Sequence, residues 1–336
     1  MPPIRDVMPA FELFQPASVT DTLSVLNRHG ADAWVMAGGN DTFDWLKDRI
    51  KKPKVVVDLT NVNELRGIKD AGGGLEIGAM TTLTTIAHDP MVKERFPMLA
   101  QAALLVASPQ IRNVSTVGGN VSQDARCWYY RAGWRCYRAG GNICYADTPT
   151  SINREHALFN ADRCVAVNPS DTAPALIALD ASFVIKNGDA ERVVPAEEFF
   201  IGPGIDITRL TILKPGDLLT AIRIPNTFAG KGHYFEKVRD RQVWDFALVN
   251  IAASMNVSGQ TMNDVRLVVN GVAATPYRLH AVEAFLKGKP RDKATADQAA
   301  DMAVQGAAPL RHNEYKIPLM KALVKRAIRG EAEWTS

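Results

Sequence analysis

Trp34-Val35-Met36-Ala37-Gly38-Gly39-Asn40-Asp41 is a short apolar run that breaks on two glycines and turns polar. The apolar half predicts a buried strand, the glycine pair a tight turn, and the residues from Asn40 to about Arg49 a helix. Strand, glycine turn and helix in that order aim backbone N–H groups at a phosphate, although these eight residues alone read equally well as a plain turn. Working outward, residues 18–30 predict a helix: Ser18 is a suitable N-cap, Val19, Leu23 and Leu26 share one face, and Gly30 suits the end. On the other side, Val55-Val56-Val57-Asp58-Leu59 predicts a second buried strand, which closes a small βαβ unit near residue 60.

Farther along, residues 75–79 predict a strand, Thr82 the cap of a following helix, and residues 96–106 an alanine-rich helix. Ser115-Thr116-Val117-Gly118-Gly119-Asn120 supplies a second glycine turn, so two turns could embrace a pyrophosphate from two sides. Val165-Ala166-Val167 predicts a strand leading into Asn168-Pro169-Ser170-Asp171, with Asp171 a candidate cap for a helix over 173–179. Residues 182–186 and Val193-Val194 predict a strand pair, and 219–224 an alternating strand that stops at Pro225. Residues 226–232 turn polar and glycine-containing, which marks a domain boundary. Beyond it, strands at 234–239, 247–257 and 265–272 precede helices at about 278–287, 294–307 and 316–328, an α+β order.

The chain has 336 residues, 46% hydrophobic and 22% charged, with a formal net charge of +3. That is an ordinary globular composition, long enough for two or three domains, and the charge leaves no footprint for nucleic acid. No run of eighteen apolar residues calls for membrane insertion. Met1-Pro2-Pro3-Ile4-Arg5-Asp6 lacks the apolar core of a secretory signal, so the expected location is cytoplasmic, or periplasmic by co-export with a signal-bearing partner.

The four cysteines, Cys127, Cys136, Cys144 and Cys164, fall within 38 residues, which predicts that their sulfurs meet. The spacings leave three chemistries open. Disulfides suit small secreted scaffolds more than a chain of this length. Structural zinc usually uses Cys-x2-Cys pairs, and none is present. An iron–sulfur cluster accepts the longer gaps. Trp128, Tyr129, Tyr130, Trp134, Tyr137 and Tyr145 could cover a cluster, and Arg126, Arg131, Arg135 and Arg138 could offset its negative charge. The same mixture would suit a nucleic-acid surface, but no other basic stripe accompanies it.

In order along nearly the whole chain stand Ala37–Asp41, Ser115–Asn120, Pro169-Ser170-Asp171, Leu213–Pro225 and Lys237-Val238-Arg239 with Asp245–Val249. The ordered set resembles the FAD-binding medium subunit of molybdenum hydroxylases, the xanthine dehydrogenase and carbon monoxide dehydrogenase family. The resemblance implies an α+β fold. A two-part FAD-binding domain of the vanillyl-alcohol-oxidase-like (PCMH) type would occupy residues 1–60 and 61–226, and a C-terminal α+β domain residues 227–336. It implies FAD contacts from Met36, Ala37, Gly38, Gly39, Asn40, Asp41 and Thr42, from Val106, from Ser115, Thr116, Gly118, Gly119 and Asn120, and from Asp171, Ile222 and Lys237. Gly38 and Gly39 would admit the pyrophosphate without a Cβ clash. Asp171 would bond a flavin-side hydroxyl, Val106 and Ile222 would lie on or beside the isoalloxazine, and Lys237 would set a positive charge near it.

Most medium subunits lack the cysteine segment, about residues 122–165. It resembles the insertion in the flavin subunits of 4-hydroxybenzoyl-CoA reductase and periplasmic aldehyde oxidoreductase, which implies a 4Fe–4S cluster on Cys127, Cys136, Cys144 and Cys164. Arg154-Glu155-His156-Ala157 is closer to the aldehyde oxidoreductase version. The implied role is electron transfer, with no catalytic residue for substrate on this chain. A large partner subunit would carry the molybdenum cofactor and oxidise an aromatic aldehyde; a small partner would carry two 2Fe–2S clusters. Electrons would pass through FAD to an external acceptor. The other readings are the flavin subunit of an aromatic acyl-CoA reductase, a stand-alone FAD oxidoreductase, and a zinc-dependent binding module.

Overall fold

A computed structural model describes residues 8–330. The N-terminal stretch read for a signal, and the outer limits of the first and last domains, lie outside the described residues. The first sheet is parallel, in the order β1-β3-β2, from β1 (Glu12–Phe14), β2 (Ala33–Met36) and β3 (Val55–Asp58). Helix α1 (Val19–His29) joins β1 to β2. Ser18 Oγ accepts from the Asp21 N–H at 3.0 Å, and Gly30 at φ 50° ends the helix. Helix α2 (Asn40–Lys47) joins β2 to β3, so the expected βαβ unit forms, with one strand more than expected. Strand β1 has no signal of its own: it is three residues long, largely exposed, and completed only by its partner.

The second sheet is antiparallel, in the order β4-β5-β8-β6-β7, from β4 (Ile68–Asp70), β5 (Gly74–Gly78), β6 (Ser182–Asn187), β7 (Ala190–Pro195) and β8 (Leu218–Pro225). Helices Leu83–His88, Pro97–Leu104 and Thr172–Ala178 share its core, around Phe96, Phe183 and Phe199. The third sheet runs β12-β11-β10-β9, from β9 (Gly232–Val238), β10 (Val249–Ser258), β11 (Thr261–Asn270) and β12 (Tyr277–Arg278). Helices His280–Leu286, Lys293–Ala303 and Lys316–Arg329 cover it and enclose a core of their own. The fold class is therefore the expected two-domain mixture of helix and sheet. Among the described residues no helix is long and apolar enough to cross a membrane.

Two local expectations fail. Val165-Ala166-Val167 is not a strand: Val165 O accepts from Ala157 N at 2.9 Å and Asn168 N donates to Ala273 O at 2.9 Å, single bonds to two different loops. Asp171 stands at the N-cap of its helix but makes no capping bond. Ser170 Oγ takes the Ala173 N–H instead, at 3.1 Å, which frees the Asp171 carboxylate for a partner far away in sequence.

Candidate functional site

Both glycine segments border one cleft of about 750 Å³. Ala37, Gly38, Gly39, Asn40, Asp41 and Thr42 line it, as do Ser115, Thr116, Gly118, Gly119 and Asn120, with Val106 and Asp171. Gly39 has φ 79° and precedes α2 with no side-chain cap, so the first N–H groups of that helix remain available to an anion. Gly38 is glycine for a different reason. A Cβ there would lie 2.1 Å from the Val114 carbonyl oxygen, so the two turns touch each other at this point.

Polar side chains fix this approach. Asn40 Nδ2 donates to Ser115 Oγ at 2.8 Å. Thr116 Oγ1 accepts from Gly119 N at 3.1 Å. Asn120 Oδ1 accepts from Ser170 Oγ at 2.7 Å and Thr172 Oγ1 at 2.6 Å, tying the second turn to the Pro169–Asp171 loop. The Asp41 carboxylate is already partnered: it accepts from Trp45 Nε1 at 2.9 Å and Arg126 at 2.7 Å.

Three expected flavin residues do not border the cleft: Met36, Ile222 and Lys237. Ile222 is fully buried in the second-sheet core. Its strand neighbours Leu218 and Leu219 line the cleft in its stead, and no sequence alternation could separate them, because β8 is buried at nearly every position. Lys237 is also buried, and so is no solvated surface lysine. Its Nζ donates to Asp171 Oδ2 at 2.5 Å, Asp245 O at 2.7 Å and Leu105 O at 3.1 Å. Asn250 Nδ2 donates to the other Asp171 oxygen at 3.0 Å. Burial pushes the Asp171 carboxyl up, with Lys237 and Asn250 pulling it back. The expected cation is thus half of a buried ion pair that joins the third sheet to the cleft.

All four cysteines line one small cavity with Tyr129, Tyr130, Tyr137 and Tyr145. The sulfurs are free thiols. The space is about 10 Å³, room for about one water. Among the described residues, no three His, Cys, Asp or Glu side chains are arranged around a single metal ion. A 4Fe–4S cluster takes one thiolate per iron and so sets its ligands farther apart than one ion does. The donor set suits such a group: Tyr129 and Tyr130 backbone groups bond Cys127, the Ala166 backbone bonds Cys164, and the Arg138 cation acts on Cys164. Burial pushes the free Cys127 thiol up to about 12. His156 Nε2 lies 3.3 Å from Cys127 Sγ, a partner that sequence reading missed because 29 residues separate the two. Burial and the nearby Lys316 push His156 down to about 4.

The segment is bolted to the cleft. Arg126 and Arg131 reach Asp41 at 2.7 and 3.4 Å and Asp44 at 3.5 and 3.2 Å, and Arg131 lies over the Trp45 ring at 4.0 Å. Arg126 also borders the cleft, and burial and Arg131 push its pKa down.

A glycine-lined cleft at an open helix start suits a phosphate-bearing ligand, and comparison makes the class specific. Residues 9–227 match the family described as FAD binding domain in molybdopterin dehydrogenase, and residues 233–330 the CO dehydrogenase flavoprotein C-terminal domain. The chain is 31% identical to the carbon monoxide dehydrogenase medium chain of Hydrogenophaga pseudoflava, over 96% of this chain and 98% of that one. It is 33% identical to the aldehyde oxidoreductase FAD-binding subunit PaoB of Escherichia coli K12, over 85% and 87%. A solved structure of the Hydrogenophaga pseudoflava carbon monoxide dehydrogenase matches with a TM-score of 0.77 at 30% identity, covering 96% of this chain and 97% of that one. The chain belongs to the FAD-binding medium subunits of the molybdenum hydroxylase family.

Proposed function

We propose that this chain is the flavin subunit of a heterotrimeric oxidoreductase that oxidises aldehydes, aromatic ones in particular, and hands the electrons to an external acceptor. A large partner carries the molybdenum cofactor and a small partner the 2Fe–2S clusters. The chain divides at about residues 60 and 226, and Cys127, Cys136, Cys144 and Cys164 hold a 4Fe–4S cluster. The subunit works in the cytoplasm, or in the periplasm after co-export with a signal-bearing partner.

The observation that carries this reading is the convergence of four thiols on one cavity, in a segment whose Arg126 and Arg131 bond Asp41 on the wall of the glycine cleft. Similarity to a chain named as an aldehyde oxidoreductase FAD-binding subunit supports the substrate class. FAD, when bound, supplies electron transfer between one- and two-electron partners, and a 4Fe–4S cluster supplies one-electron transfer. The chain's own residues do the holding. The open helix start at Gly39 offers backbone N–H groups to the pyrophosphate, and Gly118 and Gly119, whose own N–H groups are taken by Ala79 O and Thr116 Oγ1, give it a wall free of side chains. Leu218, Leu219 and Val106 give apolar walls for the ring system. Asp171, fixed by Lys237 and Asn250, presents a carboxylate to a flavin-side hydroxyl.

The test is anaerobic purification of the chain with its partner subunits, with assays of flavin, iron and acid-labile sulfide. The expected content is about one FAD, four iron and four sulfide per chain. Stoichiometric zinc without sulfide overturns the cluster. Turnover of benzaldehyde, with none of 4-hydroxybenzoyl-CoA or xanthine, is the expected substrate pattern; the reverse replaces the aldehyde assignment.

A further inference from the structure

We propose that His156 is a positioning donor to the cysteine cluster: its Nε2–H bonds the Cys127 sulfur and raises the reduction potential of the cluster at the corner turned toward the flavin. The inference rests on the reading of the four cysteines as cluster ligands. His156 is buried, with Nε2 3.3 Å from Cys127 Sγ and no partner for Nδ1 among the described residues. A ligating thiolate can only accept, so the one N–H of a neutral imidazole belongs on Nε2. The main chain holds the residue in place. The His156 N–H donates to Asn153 O at 3.2 Å, and its carbonyl accepts from Asn313 Nδ2 at 2.9 Å and Lys316 Nζ at 3.1 Å.

Position gives the bond its consequence. Cys127 is the one cysteine of the four that borders a second cavity, of about 290 Å³, as well as the cavity the sulfurs share. His156 lines that second cavity too. Arg126, Pro169, Asp171 and Phe246 border both it and the flavin cleft. The His156–Cys127 contact therefore stands on the wall between the sulfurs and the flavin. Reduction adds a negative charge to a cluster, and an N–H aimed at a ligand sulfur stabilises the reduced state, so the potential rises.

The experiment compares wild type, H156Q and H156L as full chains in the anaerobically loaded complex. Iron and sulfide are assayed, and the cluster midpoint is measured by redox titration followed by EPR. Wild type and both variants should carry equal iron. The H156L midpoint should shift to more negative potential, and H156Q, which keeps an N–H donor, should recover toward wild type. An unshifted midpoint in iron-replete H156L overturns the inference. Should H156L fail to load, H156N takes its place, its shorter amide leaving the sulfur without the donor; an unshifted midpoint there is equally fatal. Wild type without iron and sulfide overturns the underlying cluster reading instead.

Discussion

Around the glycine cleft, one glycine turn links a strand to a helix and the other opens a helix; Asn40 closes the first on Ser115 of the second, and Asn120 ties the second to Ser170 and Thr172. The cysteine segment has little regular backbone. Between residues 123 and 171 only Trp128–Arg131 and Tyr137–Ala139 turn helically. It is held from outside by Arg126 and Arg131 on Asp41 and Asp44 and by Arg138 on the Ile207 carbonyl, and tied within itself by Arg138 on Asp124 and by the Tyr129 hydroxyl, which accepts the Ile152 N–H. The cleft takes its shape from secondary structure and buried hydrogen bonds, so it should survive without its ligand. The segment depends on cross-links, among them whatever its sulfurs hold, because a metal site gives binding energy to a fold that cannot supply its own.

The largest effect should come from breaking the cleft's buried pair. Lys237→Met leaves the Asp171 carboxylate buried with only Asn250, at a cost of about 3–5 kcal/mol, read as a lower denaturant midpoint at pH 7. The sign of the pH dependence follows. With Lys237 gone, burial holds the Asp171 carboxyl above its unfolded value, so the variant regains stability as pH falls toward ~4 and loses it as pH rises. Lys237→Met with Asp171→Leu should recover most of the loss. A single variant within about 0.5 kcal/mol of wild type would mean that the pair does not brace the cleft.

The two turns should then separate from each other. Gly38→Ala forces a Cβ against the Val114 carbonyl at 2.1 Å, and overpacking of this kind costs about 1–3 kcal/mol. Gly119→Ala meets only Thr116 Oγ1 at 3.1 Å and the Ala37 Cβ at 3.6 Å, and it gains up to about 1 kcal/mol of helix propensity. The first variant should lose stability and flavin together. The second should keep its stability while flavin content falls, since Gly119 stands on the cleft wall. Equal thermal shifts in both variants would remove the distinction between a glycine that serves packing and one that serves the ligand.

How much of this could be read in advance depends on the range of the interaction. The β2–turn–α2–β3 unit was legible because its apolar runs and glycine punctuation are local. The bunching of the cysteines announced their meeting, since sulfurs close in sequence can meet through one loop. The Asp171–Lys237 pair was hidden: 66 residues separate the partners, and a lysine's ordinary place is solvent. Ile222 lies in the second-sheet core while Leu218 and Leu219 border the cleft, a phase that β8, buried on both faces, gives no alternation to set. The contacts of Asp41 with Arg126 and Arg131 were hidden in the same way, by 85 and 90 residues of separation.

The bolt between the two regions should give the smallest effect and the sharpest test of their difference. Arg131→Met removes one cation from Asp41 and Asp44 and its seat over Trp45. Asp44 is half exposed, so screening discounts the ion pairs, and the loss should be about 1 kcal/mol, part ionic and part ring contact. Arg126 still holds Asp41, so flavin content should stay at the wild-type level. Amide hydrogen exchange should quicken in residues 127–164 and leave β2, β3 and β8 as they were. The increase should be greater in cluster-free protein, where nothing ties the four sulfurs to one another and the arginine contact carries more of the order around Cys127, than in loaded protein, where the sulfurs share the task. Equal increases in both would show that the segment's order owes nothing to what its thiols hold, and the contrast with the cleft would disappear.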